Sequence, residues 1–374
     1  MIQTQNTLFL TDAKRLVEVL GTTGIIVCLL VTAGCKSIGP STVARDRFEY
    51  SASIGDSWKR QTLLNIVKLR YLDPPIFVDV GQIVAGYTLQ TGVNVGGQIS
   101  SEHAGQGNSL SLGGAAVYTD RPTVTYTPLT GNKFIKSLMM PLPPESVFFM
   151  IQSGWPADAV LVSAVSSING LKNQTTTIQG TAPPDPDFLR ALALIRKIQL
   201  AGGVALRVQQ DAQKQQTTIL ALRRPDIAPE TMAESRELRR LLRLDPDASE
   251  FKLVFGATAA DDKEVAVVTR SIMQLMGTLA VQVDVPAKDL AERRVVPGLE
   301  SMPDAQKAQR LIQIRSSKNG PANAFVAVNY RGQWFWIDDC DLKSKRTFSF
   351  MMLLFTLAET GEKENLPLIT IPAQ

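Results

Sequence analysis

Histidine is almost missing from this chain. His103 is the one imidazole in 374 residues. That excludes His-rich metal sites and multi-His proton relays, and any Ser-His-Asp triad would have to use His103. Cysteine is scarce, at three, so a disulfide-dense scaffold is excluded. An excess of one charge sign is also lacking. Lys+Arg is 39 against Asp+Glu 35, a net +4, which is too mild and too scattered for a nucleic-acid partner. Mean hydropathy is +0.03, which argues against a polytopic membrane protein. No Gly-x-x-x-x-Gly-Lys-Ser/Thr phosphate loop and no Gly-x-Ser-x-Gly elbow occurs. The glycines at 92–97 and 105–114 fail the spacing and context of a dinucleotide fingerprint.

What is present is a core-forming composition, 44% hydrophobic and 20% charged, with room for two or three domains. The N-terminus has its own grammar. Lys14 and Arg15 precede a mostly apolar stretch from Leu16 to Val31, densest at 24–31. It is shorter than the roughly 20 residues that span a bilayer. The small residues Thr32, Ala33 and Gly34 follow, then Cys35. A positive flank, a short apolar stretch and small residues describe a secretory signal over residues 1–34. Its removal takes Lys14, Arg15, Asp12 and Glu18 and leaves the net charge unchanged.

Beyond the signal, the pattern predicts an α+β fold of antiparallel hairpins packed with helices, in two domains. Residues 35–172 form an N-terminal region, 173–187 a Pro-rich linker or long loop, and 188–374 a C-terminal domain. Residues 36–55 read as a tether and entry strand, with a helix over 56–70 capped by Asp56. A strand follows over 76–87. Residues 86–127 alternate single apolar residues with Gly, Ser, Thr, Gln and Asn, a hairpin signature around the Gly-rich tip at 103–108. This stretch is either an ordinary half-exposed hairpin or a membrane hairpin, whose strands show weak alternation over about 9–11 residues. Helices are expected over 143–168, broken at Trp155-Pro156, and over 188–200, 229–244, 269–279 and 344–359. Strands are expected at 204–208, 217–222, 251–255, 281–285, 324–330, 333–337 and 366–371. Arg331-Gly332 marks a tight turn.

Chemistry-bearing clusters are few. Asp338, Asp339 and Asp341 offer oxygen ligands for a hard cation, but lack a calcium-loop pattern and also suit helix capping. Glu145 and Asp158 pair only if folding brings them together. Trp334 and Trp336 share one face of a strand and Phe335 takes the other. They form either a doubly covered central strand or an aromatic surface for a partner or glycan. The arginines at 236, 239, 240 and 243 alternate with Glu234 and Glu237, which reads as a solvated helix face. Residues 349–355 are apolar all round, as in a helix buried on most sides. No catalytic residue and no metal site emerges.

Val31-Thr-Ala-Gly-Cys35 resembles the lipobox of bacterial lipoproteins. The resemblance implies cleavage before Cys35, a diacylglycerol on its thiol and an N-acyl chain on its new amine. Several chains together anchor stably where one binds reversibly. Lys36, where Asp commonly retains such proteins at the inner membrane, points to the outer membrane and its periplasmic face. Residues 58–70, 126–155 and 330–347 resemble a functionally uncharacterised group of Gram-negative lipoproteins, which carries no activity with it. The expectation is a non-enzymatic lipoprotein with no cofactor beyond the Cys35 lipid. It would serve as a structural or partner-binding component of an envelope assembly, with other envelope proteins or its own copies as partners. The alternative is an oligomeric outer-membrane export channel built from the 86–127 hairpins, by analogy with the lipoprotein channel that exports curli subunits. A glycan hydrolase using Asp338, Asp339 and Asp341 is the third reading.

Overall fold

The computed structural model describes residues 38–84, 86–98, 109–177, 180–210, 216–222, 229–301 and 310–358. The signal segment, Cys35, His103 and the strand expected at 366–371 lie outside them. The chain divides into two compact units: Met1–Ile54 with Val80–Tyr126, and Gly55–Asp79 with Thr127–Gln374. The fold is α+β.

The elements of the smaller unit begin with α1 (Ile38–Arg70), whose second half belongs to the larger unit. Residues 36–55, expected as a tether and strand, are therefore helical from Ile38. Asp56 lies inside α1 and pairs with Lys59 at 2.8 Å instead of capping a new helix. Then come β1 (Phe77–Val84), β2 (Tyr87–Gln98), β3 (Ser109–Asp120) and β4 (Thr123–Leu129), of which residues 77–79 and 127–129 belong to the larger unit. β1 pairs with β4, and β2 with β3.

The larger unit carries α2 (Asn132–Met139), α3 (Pro144–Gln152), α4 (Ala157–Ala164), β5 (Val165–Ile168), β6 (Leu171–Lys172), β7 (Thr175–Thr177) and β8 (Gly180–Ala182). These are followed by α5 (Pro186–Leu200), β9 (Ala205–Gln210), β10 (Gln216–Ala221), α6 (Pro229–Leu241), β11 (Glu250–Phe255) and β12 (Glu264–Thr269). The chain continues through α7 (Ile272–Ala280), α8 (Ala287–Ala291), β13 (Arg315–Ser317), β14 (Ala324–Tyr330), β15 (Gln333–Asp338) and α9 (Leu342–Ala358). A six-stranded sheet runs β6-β5-β12-β11-β10-β9 and a three-stranded one β13-β15-β14. Every registered pair in these sheets is antiparallel except β11–β12, which is parallel.

Local chemistry explains the boundaries. Ser271 accepts from Gln274 N while the Gln274 side chain accepts from Ser271 N, a capping box that starts α7. Arg331 and Gly332 both sit at positive φ, 51° and 76°, as a two-residue hairpin turn requires. Asn169-Gly170 makes the same kind of turn, with φ 44° and 84°. It converts residues 165–168, expected as the end of a helix, into β5. Residues 173–187, expected as a linker or long loop, hold β7 and β8, and Asn173 is buried with its amide donating to the carbonyls of Val162 and Val165. Val281–Val285 is likewise no strand but a turn with a single bridge from Val283 to Ile314. The core of this unit gathers Phe148, Phe188, Phe251, Phe335 and Phe348 among aliphatic residues of every helix from α1 to α7 and of α9.

The smaller unit has no comparable interior. Among its described side chains only Thr42 is buried, and none of the buried hydrophobic residues belongs to it.

Candidate functional site

The long hairpin of the smaller unit is the feature that ordinary folding does not account for. β2 and β3 pair along their whole length, from Tyr87↔Asp120 to Gln98↔Ser109, twelve pairs in uninterrupted register. A lone two-stranded hairpin is marginally stable in water, and its outer edges present unpaired backbone groups. Natural edges are blunted with Lys, Pro or inward charges. Residues 87–98 and 109–119 contain none of these.

Register sorts the residues by polarity. Leu89 faces Tyr118 and Thr91 faces Ala116; the same parity carries sequence positions Val93, Val95, Leu110 and Leu112. The opposite parity carries Thr88, Gln90, Asn94, Ser111 and Thr119, with Gly92 opposite Ala115, and Val117 is its one large apolar residue. Both parities are open to solvent: Leu89 is 48% exposed, Tyr118 48% and Val117 54%. One parity therefore exposes Leu89, Ala116 and Tyr118, with the charged Asp120 at its base beside Tyr87, and the other is small, polar and uncharged apart from Val117.

The base of the hairpin is fastened to the first half of α1. Asp46 accepts a short hydrogen bond from the Tyr87 hydroxyl, and Arg45 donates to Asp46 at 3.1 Å. Tyr87 and Tyr118 stack at 6.2 Å, with the Arg45 guanidinium 6.0 Å from the Tyr87 ring centre. The hydrogen bond from Tyr87 holds the Asp46 carboxyl below its usual range, and the same bond pushes the Tyr87 hydroxyl up to about 12. Arg45 is held charged chiefly by its hydrogen bond with Tyr118. The tyrosines thus sit together at one end of the apolar parity, tied to a helix by charge-assisted bonds. Sequence reasoning missed this fastening, because residues 36–55 read as a tether, and no short-range pattern links Arg45-Asp46 to a tyrosine forty residues on.

No family model, curated protein or solved structure matches this chain. The geometry alone carries the functional argument.

The residues singled out in the sequence take bland places in the larger unit. Trp334 and Trp336 are half-buried, on the side of β15 away from the buried Phe335 and Ile337, and Gly320 backs onto the Trp334 ring. Asp341 accepts from Ser344 N at 3.0 Å and from its hydroxyl, which caps α9. Asp338 pairs with Arg315 at 3.1 Å and Asp339 with Lys345 at 2.7 Å. Each carboxylate of that trio is committed within the fold, and no metal-holding group of acidic, His or Cys residues exists among the described residues. Glu145 and Asp158 stand in the first turns of α3 and α4, where their charge complements the helix dipole, and Asp158 faces Arg196 at 3.8 Å. Arg236, Arg240 and Arg243 are exposed, but Arg239 is buried beside the Phe251 ring. Residues 349–355 are buried on most sides, with Ser349 and Leu353 facing out. Cys340 is a free, exposed thiol.

Proposed function

We propose that this chain is a lipid-anchored subunit of an oligomeric outer-membrane channel, in which each copy donates the β2–β3 hairpin to a shared barrel. The observation that carries it is a fully paired hairpin, charged only at Asp120 at its base among the described residues, that exposes Leu89, Ala116 and Tyr118 in a unit whose described side chains include no buried hydrophobic residue. Barrel strands alternate an apolar outward face with a polar inward one, flanked by aromatic residues at the interfaces. Leu89, Thr91, Ala116 and Tyr118 supply the first face, Gln90, Asn94 and Thr119 the second, and the Tyr87–Tyr118 stack the aromatic end. Twelve residues give roughly 40 Å of strand, or about 28 Å along the membrane normal at a 45° tilt, enough for the hydrocarbon layer. Among the described residues no helix is long and apolar enough to cross a membrane. The Cys35 lipid would deliver each subunit to the membrane surface before insertion.

Probe accessibility tests the reading. In a Cys340→Ser background, Leu89→Cys should react with a lipid-soluble maleimide and Gln90→Cys with a charged, water-soluble one, in membranes only. Equal labelling of both by the charged reagent in membranes would refute it. Cys35→Ser should abolish palmitate incorporation, and labelling that persists would remove the anchor.

A second reading, a periplasmic partner-binding scaffold, draws support from a different set of side chains. Ile135 and Met139 of α2, Met140 beyond it and Phe149 of α3 are 50–64% exposed in the larger unit. Apolar side chains of this size in solvent suit a protein contact. Under that reading the hairpin cysteines would both label with the charged reagent, and crosslinks would arise from α2.

A further inference from the structure

The larger unit holds a cavity of about 300 Å³ lined by two arginines from distant parts of the chain, Arg70 at the end of α1 and Arg270 just before α7. Both are almost fully buried, at 0% and 3% exposure. A buried guanidinium ordinarily faces a carboxylate, because an unpaired charge in the interior costs several kcal/mol. Arg270 has none. Its Nη1 donates to the carbonyls of Val162 (3.1 Å) and Ser163 (2.9 Å), and its Nη2 to that of Gln174 (2.5 Å). These carbonyls fix the plane of the group and supply dipoles, but no net negative charge. Burial alone draws its pKa down to about 10.

Arg70, by contrast, has a counter-ion in Glu300. Nη2 reaches Glu300 at 2.5 Å, while Nε and Nη1 are buried without an acceptor. It is held in place from behind, since a Cβ on Gly298 would lie 2.3 Å from Nη1. Around the two cations the wall contributes Thr175, Gln274 and Thr278, together with apolar surface, and among the described residues no acidic side chain belongs to the lining. A fixed Arg270 guanidinium with only neutral carbonyl partners, hydroxyl and amide neighbours and an apolar flank, beside the closed Arg70–Glu300 pair, together describe a receptor for an anion.

We infer that this cavity binds a small molecule carrying an oxyanion, a phosphate or a carboxylate, with Arg270 as its charged donor. The site is independent of the hairpin and of any channel role. Its size, at the low end of ligand pockets, suits a compact ligand and not a large cofactor.

The test is thermal unfolding of the full chain, with inorganic phosphate, sulfate or acetate against sodium chloride at equal ionic strength. An anion present at several times its Kd should raise Tm by about 2–4 °C for a unit of this size. A response to phosphate and sulfate assigns a phosphoryl-type ligand, and a response to acetate alone assigns a carboxylate. Glycerol phosphate tested against a short-chain phosphatidate then separates a free metabolite from a lipid headgroup. The blocking variant is Gly277→Leu. Gly277 lines the cavity, and a Cβ there meets nothing within 4 Å, so the side chain fills the space without a backbone clash. It should fold and lose the anion response at least tenfold in affinity. Arg270→Lys, which keeps a charge but loses the planar fork, should weaken binding while retaining the fold. No anion-specific shift up to about 10 mM, or one equal in wild type and Gly277→Leu, overturns the inference.

Discussion

Two neighbouring alanines discriminate a membrane hairpin from a water-facing one. Ala115 and Ala116 are consecutive on β3, both exposed, opposite Gly92 and Thr91 respectively, and so on opposite faces. Ala116 lies within two residues of the middle of β3 (Ser109–Asp120), which places it near the bilayer midplane if the hairpin spans the membrane. Arginine there, on the lipid side, costs about 2–4 kcal/mol per subunit. At 1.36 kcal/mol per decade this is roughly a 30- to 1,000-fold loss of the inserted form. Arginine at 115 would enter the lumen and cost little. In a water-soluble hairpin the two substitutions are equivalent surface changes, each within about 0.5 kcal/mol. The assay compares, for Ala115→Arg and Ala116→Arg, the detergent-extracted oligomer recovered from membranes and the conductance of planar bilayers. Ala116→Arg should leave monomer alone, while Ala115→Arg should assemble with altered ion selectivity. Equal yields of oligomer would refute the face assignment and the membrane argument built on it.

Acid should loosen the hairpin base. The folded-state pKa of Asp46 is lowered by Tyr87, so its contribution is present above the ordinary aspartate value of 3.8 and lost as pH falls through the lower, folded value. Hydrogen exchange of the β2 and β3 amides, corrected for intrinsic rate, should accelerate below that pH in wild type and show no such step in Asp46→Asn. In the larger unit, Asn169 donates to the carbonyls of Leu242 (2.8 Å) and Glu264 (3.2 Å) and accepts from Ala266 N (2.6 Å), at φ 44°. Asn169→Ala removes three hydrogen bonds and leaves a left-handed alanine, for a loss of about 3–5 kcal/mol in urea unfolding. Asn169→Gly should recover about 1 kcal/mol of it by relieving the backbone, and identical values for the two variants would contradict this.

The sequence made the local features legible and hid those that depend on distant partners. Period-two alternation located β2 and β3, and Arg331-Gly332 located the β14–β15 turn, because strand parity and turn chemistry are written in neighbouring residues. Asn169-Gly170 carried the same turn signal, and the apolar run from Ala157 masked it. Short apolar runs fit a buried helix or a buried strand equally well. The helix over 38–55 was missed for another reason. Its side chains are mostly exposed and lack a periodic apolar stripe, so pattern reading had nothing to follow. The arginine cavity was illegible altogether. Arg70 and Arg270 are two hundred residues apart, and in sequence each is one basic residue among thirty-nine.

The hairpin's edges bear on stoichiometry. A subunit that contributes β2 and β3 adds one antiparallel pair, so any closed ring has an even number of strands, as bacterial barrels do. Eight-stranded barrels hold only side chains or one small ligand, and an aqueous lumen takes more strands. Rings of such subunits therefore need at least five copies before the lumen can hold water. A dimer or trimer would leave the edges of β2 and β3 open and solve nothing. The reasoning thus requires a large, discrete assembly, and a detergent-extracted mass of one or two subunits by light scattering would exclude the barrel outright. A discrete ring of five or more copies would satisfy every unpaired edge at once. It would also explain why this unit carries an apolar face and no core of its own: the missing half of its core is supplied by lipid on one side and by the neighbouring copies on the other.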